Sequence, residues 1–180
     1  MQMSVKNIKI FLSQQSGSAA IEFALLVVPA TFIIAGIFEI SLMLGAQSLL
    51  QSATSEATRE IRTGKLQSAS DEEEKFKEII CNKIDIMMDC GTDNDKIMVD
   101  VLDVNKFSDA KGNNAQFKPD GSFESQGFDL PDADSTVLVR TVYLYPLKTP
   151  FIKDVFADGP NGDTRVFVST NVIQTEPYEF

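Results

Sequence analysis

Glu22 is the first residue whose surroundings suggest chemistry. It is the first acidic residue of the chain, and it stands among apolar neighbours: Ala19, Ala20 and Ile21 precede it, and Phe23 to Phe38 follow as 16 residues without a charge. A carboxylate in an apolar helix costs about 2.5–3.5 kcal/mol at the centre of a bilayer and less near its edge. Such a residue is a functional candidate by default; the alternative is that it sits in water at the membrane surface. The other reactive groups are two thiols, Cys81 and Cys90.

Much chemistry is excluded by composition. There is no His among 180 residues, so Ser-His-Asp and Cys-His nucleophile systems are absent, as are imidazole metal sites. Two Cys are too few for a Cys₄ zinc site or an iron–sulfur cluster. A net charge of -10 disfavours nucleic acid, because its binding rests on Lys and Arg neutralising phosphates. No Gly-rich phosphate loop and no pair of acids in an apolar pocket stands out. The sequence therefore predicts no enzyme activity, no cofactor and no nucleic-acid partner. Three acidic stretches invite a metal reading. Asp71–Glu74 suits a helix start, where the dipole favours negative charge. Thr92–Asp95 and Asp158–Asp163 carry the oxygen ligands calcium uses, but neither has EF-hand spacing, and turn chemistry explains both. No metal site is expected.

The element that must position Glu22 is a helix. Lys6 and Lys9 are the only charges before it, the apolar run follows, and the chain from Ser70 onward is rich in Asp and Glu. The run predicts one membrane span over about residues 21–44, with Glu39 at its edge reaching toward the headgroups. Basic residues on the near side place the N-terminus in the cytoplasm and the acidic bulk across the membrane. A secretory signal peptide fits less well, because a polar stretch separates the lysines from an overlong apolar run. Pro29 falls inside the span, so a kink or local melting is expected there. Leu49, Leu50, Ala53, Ala57 and Ile61 continue the helical spacing, and Gly64 is a plausible stop. From Ser18 to Thr63 is 46 residues, or about 69 Å of helix.

The boundary QQSGSAAIEFALL resembles a type IV prepilin processing site: a Gly before the cut, Glu at the fifth mature position and an apolar residue next. The resemblance makes Gly17 the last leader residue and Ser18 the first mature one, with Glu22 and Phe23 at positions five and six. The new amine of Ser18 would then lie about one helical turn from Glu22 and could neutralise it, within the subunit or on a neighbour. In pilins a proline placed like Pro29 lets the helix stretch in the filament; membrane helices also tolerate proline routinely.

Further segments widen the resemblance: QSATSEATREIRTGK, IICNKIDIMMDC, KIMVDVLDVNKFSD, STVLVRTVYLYPLKTPF and QTEPY. In this order they are similar to the TadE-like family, pseudopilins or minor pilins of the tight-adherence (Tad/Flp, type IVb) pilus systems. The likeness runs from Gly17 to Tyr178. Thr175 departs from it, since Asn is expected before Glu176-Pro177.

The head reads as α+β. Ser70 with Glu73 forms a capping-box pattern, and Phe76, Ile79, Ile80, Ile84, Met87 and Met88 follow helical periodicity. In an exported domain two Cys suggest one disulfide, with two buried thiols as the alternative. Bridged Cα atoms lie about 4.4–6.8 Å apart, so the chain must turn back before Cys90. Strands are expected around Ile97–Val101, Val137–Leu144 and Thr164–Thr175, with Pro146 and Pro150 ending the middle one. These predict a small antiparallel sheet of three or four strands packed on the helix.

The domain reading is a leader over 1–17, a long N-terminal helix over 18–64, and an exported α+β head over 65–180. The resemblance implies a precursor cut after Gly17 by a prepilin peptidase. Assembly through Glu22 and Pro29 would follow, with other minor pilins and the major pilin as partners. The location implied is the bacterial inner membrane as a single-pass protein with a periplasmic head, or the pilus after assembly. The alternative is an uncleaved single-span scaffold of the assembly machine.

Overall fold

The computed structural model describes residues 17–92, 96–104 and 106–177, without the side chains of Ser68 and Asn161. Lys6 and Lys9, residues Asp93–Asp95 of one acidic stretch, and Tyr178 lie outside the described residues. The chain divides into two compact units, one ending at Phe38 and one beginning at Glu39. Helix α1 (Ser18–Arg62) contributes to both.

In the first unit α1 carries its apolar side chains outward. Phe23, Leu25, Leu26, Phe32, Ile33, Ile34, Ile37 and Phe38 are all exposed. Pro29 lies inside the helix, which runs through it unbroken, so the melting expected there does not occur. Proline deletes only one backbone donor, the partner of the Leu25 carbonyl, and the turns on either side hold. Thr31 donates its hydroxyl to the Val28 carbonyl at 2.8 Å beside it.

The second unit is the head, and α1 supplies its spine from Glu39 onward. Met43, Ala46, Leu50, Ala53, Ala57 and Ile61 are buried at spacings of three or four, one continuous stripe. The helix ends in a Schellman motif. Gly64 at φ 74° donates to the Ile61 carbonyl, and Lys65 donates to Glu60, both at 3.1 Å.

Helix α2 (Glu72–Ile84) follows, with Phe76, Ile80, Cys81 and Ile84 buried. Its N-cap is Asp71, whose carboxylate accepts from the Glu74 N–H at 3.3 Å, so the cap falls one residue past the expected Ser70. The carboxylate adds charge–dipole attraction that a serine hydroxyl lacks. The helix also stops at Ile84, ahead of the Met87 and Met88 positions that fit its periodicity.

Strands β1 (Ile97–Val104), β2 (Gln116–Phe117), β3 (Phe123–Glu124), β4 (Thr136–Pro146) and β5 (Thr164–Gln174) form two sheets. The main sheet is antiparallel with β4 between β1 and β5; β2 and β3 pair separately. Helix α3 (Pro150–Phe156) fills the connection from β4 to β5, where no helix is expected from sequence. Pro150 ends the extended run as read from sequence, and it does so by opening this helix.

Both faces of β4 are covered. Val137, Val139 and Tyr143 join the core beneath α1 and α2. Leu138, Arg140 and Val142 face the other way and are buried too. The long connection between β1 and β4 seals that second face. Ser125 and the Gln126 N–H both donate to Asp100, and Val101 forms a single parallel bridge with Phe128.

Candidate processing and assembly segment

Ser18 opens α1, and its hydroxyl donates to the Glu22 carboxylate at 3.0 Å. The two residues stand one helical turn apart on one face, and both are exposed. Phe23 is 68% exposed. The apolar side chains that follow surround the helix on all sides, and no face of it is polar as far as Phe38. That pattern suits a helix whose solvent is lipid. The segment is long and apolar enough to cross a membrane, compatible with a single-pass membrane protein.

Glu39 behaves differently from the expectation that it reaches toward headgroups. Its side chain is buried in the head, where it accepts the backbone N–H groups of Lys148 and Thr149, the latter at 2.9 Å. These donors sit at the entry to α3, where helix N–H groups have no internal partner. Sequence reasoning missed this role, though a signal existed. Glu39 precedes Met43 by four and Ala46 by seven, so it is the first position of the buried stripe. Pairing with backbone donors offsets the cost of burying the carboxylate.

The chain also turns back as the thiols require. Cys81 lies in the last turn of α2 and Cys90 beyond it; the two are joined, with Cα atoms 5.9 Å apart. Gly91 at φ 78° donates to the Asp89 carboxylate at 2.9 Å, which fixes the reversal.

The tail is tied to the head through Thr175 and Glu176. Thr175 is buried, its hydroxyl donating to Asp132 at 2.9 Å and accepting from the Ser135 N–H at 2.8 Å. Glu176 holds the far end of α1: its N–H donates to the Arg62 carbonyl at 3.0 Å, and its carboxylate pairs with the Arg62 guanidinium at 3.2 Å. At the Asp158–Asp163 turn, both carboxylate oxygens of Asp158 are engaged, by the Val166 N–H at 2.7 Å and Arg165 at 2.9 Å.

Residues 17–59 match the family model described as TadE-like protein. Over this segment the chain is similar to that family. The matched segment begins at Gly17, takes in Ser18, Glu22, Phe23 and Pro29, and continues along the part of α1 buried in the head. It stops short of the cysteines and the sheet, so the likeness read in those later segments lies outside the match. No curated protein and no solved structure matches the chain.

Proposed function

We propose that this Tad pilus-associated chain is a minor pilin or pseudopilin, made as a membrane-anchored precursor and cut after Gly17. Ser18 then becomes the first residue, and α1 up to Phe38 holds the protein in the inner membrane with its head in the periplasm. The observation that carries the reading is the geometry at the start of α1. A helix similar to the TadE-like family, apolar on every side, begins with Ser18 one turn from a carboxylate that no other described residue of the unit neutralises with a full charge. Once Ser18 carries a free amine, that carboxylate gains an ionic partner on its own subunit or a neighbouring one. Pairing relieves the cost of carrying Glu22 into a bundle of apolar helices. Prepilin peptidase, other minor pilins and the major pilin are the partners this implies.

The test is the mass and N-terminal sequence of the protein from native host membranes and from sheared pili. A start at Ser18, present in the sheared fraction, is expected. A start at Met1 would replace this reading with an uncleaved membrane scaffold. A start beyond Leu50 would mean that the apolar helix is discarded and the head acts alone.

A further inference from the structure

The head leaves several large apolar side chains exposed, and those just after α2 and on α3 lie at the same end of the sheet. Ile86 and Met87 follow α2, with Ile86 84% exposed; Phe151 and Val155 on α3 are 68% and 60% exposed. Single exposed apolar residues need no explanation, whereas a cluster marks an interaction surface. The contacts place these segments at the same end of the sheet. Helix α3 follows the last residues of β4, and Asp158 just beyond it holds the start of β5 through Val166. Tyr143, near the end of β4, donates to the Asp89 carbonyl at 3.0 Å, two residues past Met87.

Glu39 is at this end as well, through Lys148 and Thr149. So is Gly45, where an added Cβ would lie 3.4 Å from the Met87 methyl. Glu39 is the residue at which the chain enters the head, directly after the apolar stretch that ends at Phe38. The exposed apolar residues therefore lie at the end of the head where the chain enters it.

Helix α3 is apolar on two sides. Ile152 is buried and Phe156 packs on the core, while Phe151 and Val155, also four residues apart, point outward. Lys148 precedes the outward pair, and Lys153 and the exposed Asp154 lie between its two members. An outward apolar pair with lysines before and within it suits a helix lying in a headgroup layer. With a chain net charge of -10, general attraction to anionic lipid is weak, so apolar insertion must carry the contact.

We infer that this end of the head is a lipid-binding surface, in which Phe151 and Val155 enter the headgroup–acyl boundary of the bilayer that α1 spans. The inference rests on the membrane-span reading of α1. Insertion would hold the head down against the membrane before assembly, and extraction of the subunit would have to release it.

The chain has no Trp, so single substitutions report cleanly. The full chain would be placed in vesicles of phosphatidylethanolamine and phosphatidylglycerol containing lipids brominated at shallow or deep acyl positions. Phe32→Trp reports on the span, Phe151→Trp and Val155→Trp on α3, and Phe107→Trp on the opposite end of the head, past β1. Phe32→Trp should lose emission with deep bromines. Phe151→Trp should emit to the blue of Phe107→Trp and lose intensity with shallow bromines, and Phe107→Trp should be unaffected. If Phe32→Trp is quenched but Phe151→Trp and Val155→Trp are not, the surface does not touch lipid and the inference fails while the span stands. Blue-shifted but unquenched emission at α3 would also overturn it, since the side chain is then packed on protein. Equal quenching at Phe107 would overturn it by showing that no end of the head is preferred. An unquenched Phe32→Trp would overturn the span and the inference together.

Discussion

Asp100 and Arg140 are direct partners across β1 and β4, joined at 3.0 Å with both side chains sealed from solvent. The pair lies on the face of the sheet away from the helices. Each charge is also tied to the long connection that covers that face. The Ser125 hydroxyl and the Gln126 N–H donate to Asp100 at 2.9 and 2.8 Å, and the Arg140 guanidinium donates to the Asn113 carbonyl. A segment with little regular structure is thereby fixed over the sheet.

Removing one partner leaves a buried charge without its counterion. Arg140→Met is expected to destabilise the head by about 3–5 kcal/mol in chemical denaturation of the detergent-solubilised chain. Asp100→Leu with Arg140→Met should recover most of that loss, because no charge is then buried. A double variant as unstable as the single would show that the pair's bonds to the covering segment dominate.

Glu39→Ala leaves two backbone donors at the start of α3 without their acceptor. A loss of about 1–3 kcal/mol is expected. Amide exchange at Lys148 and Thr149 should accelerate ahead of exchange in the sheet. Cleavage after Gly17 should be unaffected, since Glu39 belongs to the head.

Glu22→Ala should separate processing from assembly. The mature protein should still begin at Ser18, while sheared pili disappear from the culture. Normal piliation in this variant would remove Glu22 from the assembly role.

Cys81 and Cys90 close a short loop, nine residues apart in sequence. For a loop of that size, chain entropy gives a stabilisation of about 2–3 kcal/mol. Cys81→Ala with Cys90→Ala should lower the denaturation midpoint accordingly. The wild-type chain should gain two alkylation adducts only after reduction, as read by mass.

Burial pushes the Tyr143 phenol up to about 12 from its ordinary 10, with the Asp89 carboxylate and Tyr145 adding to the effect. The fold favours the neutral phenol. Its contribution to stability is therefore complete below pH 10 and is lost as pH rises from there through about 12. Tyrosinate absorbance and unfolding should rise together in that range. Tyr143→Phe should flatten the alkaline loss, and an unchanged profile would show that another group controls it.

Several features were legible in the sequence because they depend on local pattern. An uninterrupted apolar run with a single early Glu specifies an apolar helix and where it starts. Alternation over Val137–Leu144 specifies the central strand, and its lack of a polar face announces that both sides are covered. The positions of α1, α2 and the three main strands follow from the same periodicities. The two cysteines stated their own geometric condition.

Tertiary structure alone decided what the polar residues inside these patterns do. Glu39 reads as the edge of a membrane span when only its neighbours in sequence are considered, yet donors 109 and 110 residues away draw it into the head. Arg140 reads as one polar residue in an apolar strand, and its partner is fixed by a register that no local window contains. Pro150 ends a strand by pattern and begins a helix by context, once Glu39 is present to accept the free N–H groups there. The physical reason is common to all three. Apolar burial is non-directional and shows in spacing along the chain, whereas a buried charge is tolerated only where specific partners meet it, and those are brought together by the fold.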